Sequence, residues 1–126
     1  RKYVADARAK GMIPILCTPI PHCPSEQVKP GDVENSDYVR MTTAVAEAEK
    51  VPLIDLNRLT MSEYAKHSPE EIKAKYFTQA DGTHTSVEGA KLNARSVVQG
   101  LRLLKECPLA GYLKPEACRA DKPAGN

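Results

Sequence analysis

Val51-Pro52-Leu53-Ile54-Asp55-Leu56 is a short apolar run with a helical pattern before it and polar residues after it. A run of this length suits a strand covered on both faces of a parallel sheet. Met12-Ile13-Pro14-Ile15-Leu16-Cys17 is a second run of the same kind. Pro14 cannot donate to a ladder, so that strand is expected to begin late or to lie near an edge. Arg1 to Lys10 reads as a helix stopped by Gly11. Thr18 to Asn35 holds four prolines and one glycine and reads as a loop long enough to carry function. Within it, Gly31-Asp32 reads as a turn. Ser36 is a fair helix cap, and Tyr38, Met41, Val45 and Ala48 then fall on one predicted apolar face. Helix, strand, loop, helix, strand is the rhythm of parallel α/β architecture.

Downstream, Arg58 to Lys66 is expected to be helical. Ser68-Pro69-Glu70-Glu71 is a helix start with a Ser cap, Pro at the first helical position and Glu at the third. Thr85-Ser86-Val87-Glu88 reads as another capping box. It opens a long helix whose predicted apolar face runs through Val87, Ala90, Ala94, Val97, Leu101 and Leu104 until Pro108 closes it. One domain is expected over 1–119, followed by a mobile polar tail over 120–126. Two strands are too few for a doubly wound sheet. The chain also starts at Arg1, inside a helical pattern, so further strands are expected from sequence upstream.

Eighteen basic and sixteen acidic residues give a net charge of +2, and the charges are interspersed. With no basic run and little aromatic interleaving, nucleic-acid binding has no electrostatic footprint. No apolar stretch approaches the length of a membrane span. Cys17, His22 and Cys23 do not match a zinc-ligand spacing, so no metal is expected. For the four cysteines two readings stay open: a small disulfide loop joining Cys107 to Cys118, which suits a secreted protein, or four unpaired thiols.

Chemistry is concentrated in Asp81-Gly82-Thr83-His84-Thr85, between a loop and a capped helix. Asp and His three residues apart on a tight turn can bring a carboxylate to one imidazole nitrogen. The carboxylate then fixes the tautomer and leaves the other nitrogen free as a base. Gly82 is expected to supply the sharp fold of the backbone. Thr18 to His22 after the first strand and Asp55 to Asn57 after the second should line the same sheet edge, where ligands of open α/β sheets sit. The alternative reading is an Asp81 that only caps its own turn.

Asp81-x-x-His84, followed by Thr85-Ser86-x-x-Gly89-Ala90 and a long helix, resembles the last motif block of the SGNH (GDSL-type) hydrolases. The wider similarity is to the rhamnogalacturonan acetylesterase branch. It is carried by Tyr3 to Arg8 with the strand through Pro19, by Val51 to Asn57, and by Asp81 to Leu101. The resemblance implies a flavodoxin-like three-layer fold with a parallel sheet. This chain would be its C-terminal portion, with about two strands and about four to five helices. It also implies a serine esterase that removes acetyl groups from pectic polysaccharide, with no cofactor. Asp81 and His84 would take two places of a Ser-His-Asp triad. An extracellular or periplasmic location follows from a polymeric substrate.

The chain departs from the family in having neither Gly-Asp-Ser nor Gly-x-Asn-Asp. The nucleophile and two oxyanion donors are therefore expected from a missing N-terminal half of the same domain, and the chain alone is expected to be inactive. A catalytically inactive SGNH-like module that binds glycan or a partner protein is the competing expectation. A triad acting on lipid or aryl esters is a third. His22 is a candidate substrate contact, and Tyr76 and Phe77 are candidates to wall the pocket. His67 is assigned no chemistry, and Asp55 is expected to cap the turn after its strand.

Overall fold

The computed structural model describes residues 1–105 and 107–114. The expected tail over 120–126 and Cys118 lie outside the described residues. The elements run in the order α1 (Lys2–Ala9), β1 (Leu16–Cys17), α2 (Asp37–Glu49), β2 (Leu53–Ile54), α3 (Leu56–Tyr64), α4 (Pro69–Tyr76) and α5 (Val87–Leu103), with a final 3-10 helix over Pro108–Tyr112. β1 and β2 pair in parallel, Leu16 opposite Leu53 and Cys17 opposite Ile54. The chain is thus mixed α/β with a two-stranded parallel sheet among the described residues.

Local chemistry sets the helix boundaries. Gly11, at φ +71°, follows the end of α1. Ser36 accepts the Tyr38 amide and caps α2. Asp55 caps α3 by accepting the Arg58 amide. Ser68 and Glu71 form a reciprocal capping box on α4, with Pro69 at its first position. At α5 the cap is Ser86, which accepts the Gly89 amide, one residue later than the box expected from Thr85. Glu88 pairs with Lys91 instead of reaching back to the cap.

The two strands are shorter and less covered than expected. The pairing begins only at Leu16, after Pro14, and Met12 and Ile13 stand 53% and 68% exposed. Of the paired residues only Ile54 is fully buried, because two strands leave the rest of the sheet open.

Both predicted helix faces are corrected. In α2 the inward residue is Ala46, while Tyr38 and Met41 are 70% and 55% exposed. In α5 the inward stripe is Gly89, Leu92, Ser96 and Gly100, and Val87 is 72% exposed. Proximity explains α5. A Cβ on Gly89 would overlap the carbonyl oxygen of Tyr76, and one on Gly100 would overlap the Ile54 side chain. The helix lies against α4 and β2 because glycine occupies both points of close approach, and of its larger apolar residues only Leu92 is buried between them.

The core gathers Val28, Met61, Tyr64, Ile72, Tyr76 and Phe77 under Leu92 of α5. The Tyr64 and Tyr76 rings stack with centroids 5.7 Å apart. The core therefore lies among α3, α4 and α5, directly beneath the loop that follows α4.

This packing gives a stability prediction. Gly89→Ala meets backbone that cannot swing aside, so it should destabilise the fold by about 1–3 kcal/mol. Gly111→Ala, where a Cβ meets nothing within 4 Å, should change stability little. Urea denaturation of the two variants beside the parent chain checks the contrast.

Candidate active site

The loop from Thr78 to His84 is closed at its base by backbone bonds. Phe77 and Thr85 form an antiparallel bridge. Thr78 N donates to His84 O at 2.8 Å, and Ser86 N donates to Tyr76 O at 3.0 Å. The Ser86 hydroxyl adds a bond to Lys75 O at 2.7 Å while it caps α5. The loop is thus anchored to the end of α4 and the start of α5 together.

Inside it, Asp81 organises the turn. Its Oδ1 accepts the amides of Thr83 at 2.8 Å and His84 at 2.7 Å. Its Oδ2 lies 2.7 Å from His84 Nδ1. With an ionised carboxylate there, the imidazole proton sits on Nδ1 and the lone pair on Nε2. Nε2 has no hydrogen-bond partner among the described residues, and the His84 side chain is 77% exposed. The arrangement is an oriented imidazole whose basic nitrogen faces outward.

Gly82 plays a different part from the one expected. Its φ is not in the left-handed region, where the glycines are Gly11 and Gly31. It allows a close approach instead, since a Cβ there would lie 3.0 Å from Cys23 Cβ. Cys23 N also donates to Gly82 O at 2.8 Å. The loop after β1 is therefore stitched to the Asp81 turn, a contact that no local sequence signal announces.

The other candidates separate. His22 stands on the exposed rim beside that stitch, with Nδ1 2.7 Å from Glu34 Oε1. Tyr76 and Phe77 are only 1% and 2% exposed. Their rings pack against Tyr64 in the core beneath the loop and do not line an open pocket. Tyr76 Oη also meets His67 Nε2 and Glu63 Oε1, each at 3.4 Å, which gives His67 a structural contact. A groove of about 990 Å³ between α3 and α5, lined by Leu59, Leu92 and Arg95 among others, includes neither Asp81 nor His84.

Thr18 and Asn57 lie at one sheet edge, as expected; Glu34, which no sequence signal singled out, joins them in tying the loop after β1 to the start of α3. Asn57 Oδ1 accepts the Glu34 amide at 2.8 Å, and Asn57 Nδ2 donates to Pro19 O at 3.1 Å. The Thr18 hydroxyl donates to Asp55 Oδ1 at 3.1 Å and accepts the Asn57 amide at 2.9 Å. Asn57 and Thr18 are 0% and 1% exposed. Two polar residues placed just after two apolar strands were the available signal.

Cys17 and Cys23 are unpaired, and the expected Cys107–Cys118 pairing falls on a residue outside the described ones. Among the described residues no three His, Cys, Asp or Glu side chains gather around a potential metal position. No described helix is long and apolar enough to cross a membrane.

The amide and imidazole donors hold the Asp81 carboxyl at about 2, well below the usual range; the His84 amide is the largest cause, followed by the His84 ring and the Thr83 amide. Because the folded value is depressed, the contribution is complete above the ordinary carboxylate value and is lost as pH falls through about 2. Carboxyl-detected NMR should therefore show Asp81 ionised throughout pH 4–7, its titration displaced well below the ordinary carboxylate range. A midpoint in the ordinary range would contradict the hydrogen bonding described.

No family profile matches the chain. It is 31% identical over 110 residues to the probable rhamnogalacturonan acetylesterase YesY of Bacillus subtilis strain 168. The match covers 82% of this chain and 49% of that protein, so the chain spans about half the relative's length. It superposes on the crystal structure of protein YxiM from Bacillus subtilis with a TM-score of 0.71 and 30% identity, over 80% of this chain and 28% of that one. With its parallel α/β arrangement, this likeness in sequence and structure places the chain in the SGNH-type serine esterase family, in the rhamnogalacturonan acetylesterase-like branch.

Proposed function

We propose that this chain supplies the acid–base part of a carbohydrate O-deacetylase, in which His84 is the general base and Asp81 its orienting carboxylate. The observation that carries the reading is the 2.7 Å contact of His84 Nδ1 with Asp81 Oδ2, which leaves Nε2 open to solvent. That the YesY relative is a probable rhamnogalacturonan acetylesterase supports the choice of acetylated pectic polysaccharide as substrate. Such a polymer favours an extracellular or periplasmic site of action.

The 126 residues contain no Gly-Asp-Ser, so the serine and the oxyanion donors come from sequence outside them. In the proposed reaction Nε2 removes the serine hydroxyl proton as the oxygen attacks the acetyl carbonyl. The new C–O bond places the carbonyl electrons on an oxyanion. Collapse of this intermediate breaks the bond to the sugar oxygen, which takes the proton from Nε2. Water then repeats the sequence on the acetyl-serine and releases acetate. Throughout, Asp81 stays ionised and holds the ring.

Acetate release from acetylated rhamnogalacturonan, and 4-nitrophenol release from its acetate ester, test the proposal in the intact protein. His84→Ala should lower kcat/KM for both by about 10²–10⁴-fold, the usual contribution of a general base. The isolated 126-residue chain should turn over neither ester. Full activity in His84→Ala would contradict the assignment.

A further inference from the structure

His22 and Glu34 repeat, on the facing loop, the relation that Asp81 has to His84. Glu34 Oε1 lies 2.7 Å from His22 Nδ1 and also accepts the His22 amide at 3.4 Å. The other carboxylate oxygen takes a bond from Asn57 Nδ2 at 3.5 Å, and the Glu34 amide donates to Asn57 Oδ1. Asn57 is fully buried and is itself held by Pro19 O and the Thr18 hydroxyl. The next residue toward the ring, Pro21, is buried as well. Yet the His22 side chain remains 63% exposed, against 26% for Glu34.

An exposed histidine on a loop ordinarily samples several rotamers. This one is fixed at both its amide and its ring, through an acid that is anchored to the interior. With Nδ1 facing the carboxylate, the neutral ring turns a lone pair on Nε2 toward solvent. The residue after His22 is hydrogen-bonded to the residue after Asp81, so both imidazoles belong to one rim.

We propose that Glu34 is a positioning residue that presents His22 Nε2 as an acceptor for a sugar hydroxyl beside the scissile ester. The inference rests on the esterase reading above and adds a subsite to it. Recognition falls on the carbohydrate part of the substrate and not on the acetyl group. A small aryl acetate, which lacks sugar hydroxyls, therefore reports on the chemistry separately from this contact.

Steady-state kinetics of the intact protein with an acetylated rhamnogalacturonan oligosaccharide and with 4-nitrophenyl acetate test it. His22→Ala and Glu34→Ala should each raise KM for the oligosaccharide about tenfold, the size of one lost hydrogen bond. In each, the ratio of kcat/KM for oligosaccharide over aryl acetate should fall by a similar factor. The double variant should be no worse than either single one, because both changes remove one unit. His22→Gln, which keeps an acceptor near the Nε2 position, should recover part of the loss. An unchanged oligosaccharide KM, equal losses on both substrates, or additive single effects would overturn the inference while leaving the esterase reading intact. If the wild-type protein turns over neither ester, or His84→Ala stays active, the esterase reading fails and this inference falls with it.

Discussion

Two glycines on the inner face of α5 let the helix approach its neighbours closely. Gly89 lets the carbonyl of Tyr76 come against the first turn, and Gly100 receives Ile54 of β2 near the last. One rigid helix thereby fixes the end of α4, the start of the Asp81 loop and a strand of the sheet in a single frame. The apolar residues Leu92, Tyr76 and Phe77 fill the space this frame encloses. If α5 stood farther off, the Ser86 amide could not reach Tyr76 O, and the loop carrying Asp81 and His84 would lose its base.

A second constraint comes from Thr18 and Asn57, buried where the two strands end. With the half-buried Asp55 and Glu34 they satisfy one another across the sheet edge. Each such bond contributes only about 1 kcal/mol net, yet leaving a buried partner such as Asn57 unpaired costs about 1–3 kcal/mol. The network is therefore strongly specified in geometry. It carries the loop after β1 toward the Asp81 turn, and the Cys23–Gly82 bond completes the approach. The two loops meet at the carboxyl ends of the parallel strands, the edge where open α/β sheets place their sites.

Much of this was legible in the residues, and the failures share a cause. Caps were readable because Ser36, Ser68 and Asp55 act on amides within three residues of themselves. The Asp81–His84 contact was readable for the same reason. The apolar faces of α2 and α5 were not, because periodicity counts large side chains while the actual contacts select small ones at close approach. Val87 and Tyr38 fit the helical spacing and still point to solvent; Gly89 and Gly100 offer no apolar signal and make the tightest contacts. The close approach at Gly82 was not legible, since its neighbour Cys23 is remote in sequence. Tyr76 and Phe77 stand close to Asp81 along the chain, yet their rings pack against Tyr64 in the core, a partner remote in sequence.

The central claim is that Asp81 sets the tautomer of His84 and leaves Nε2 as a base. Long-range ¹H–¹⁵N spectra of the histidine rings, recorded at a pH where His84 is neutral, read this directly. The account predicts a proton on Nδ1 and a bare Nε2 for His84, with the preference lost in Asp81→Ala. A proton on Nε2, or a mixture of tautomers that Asp81→Ala leaves unchanged, would contradict it.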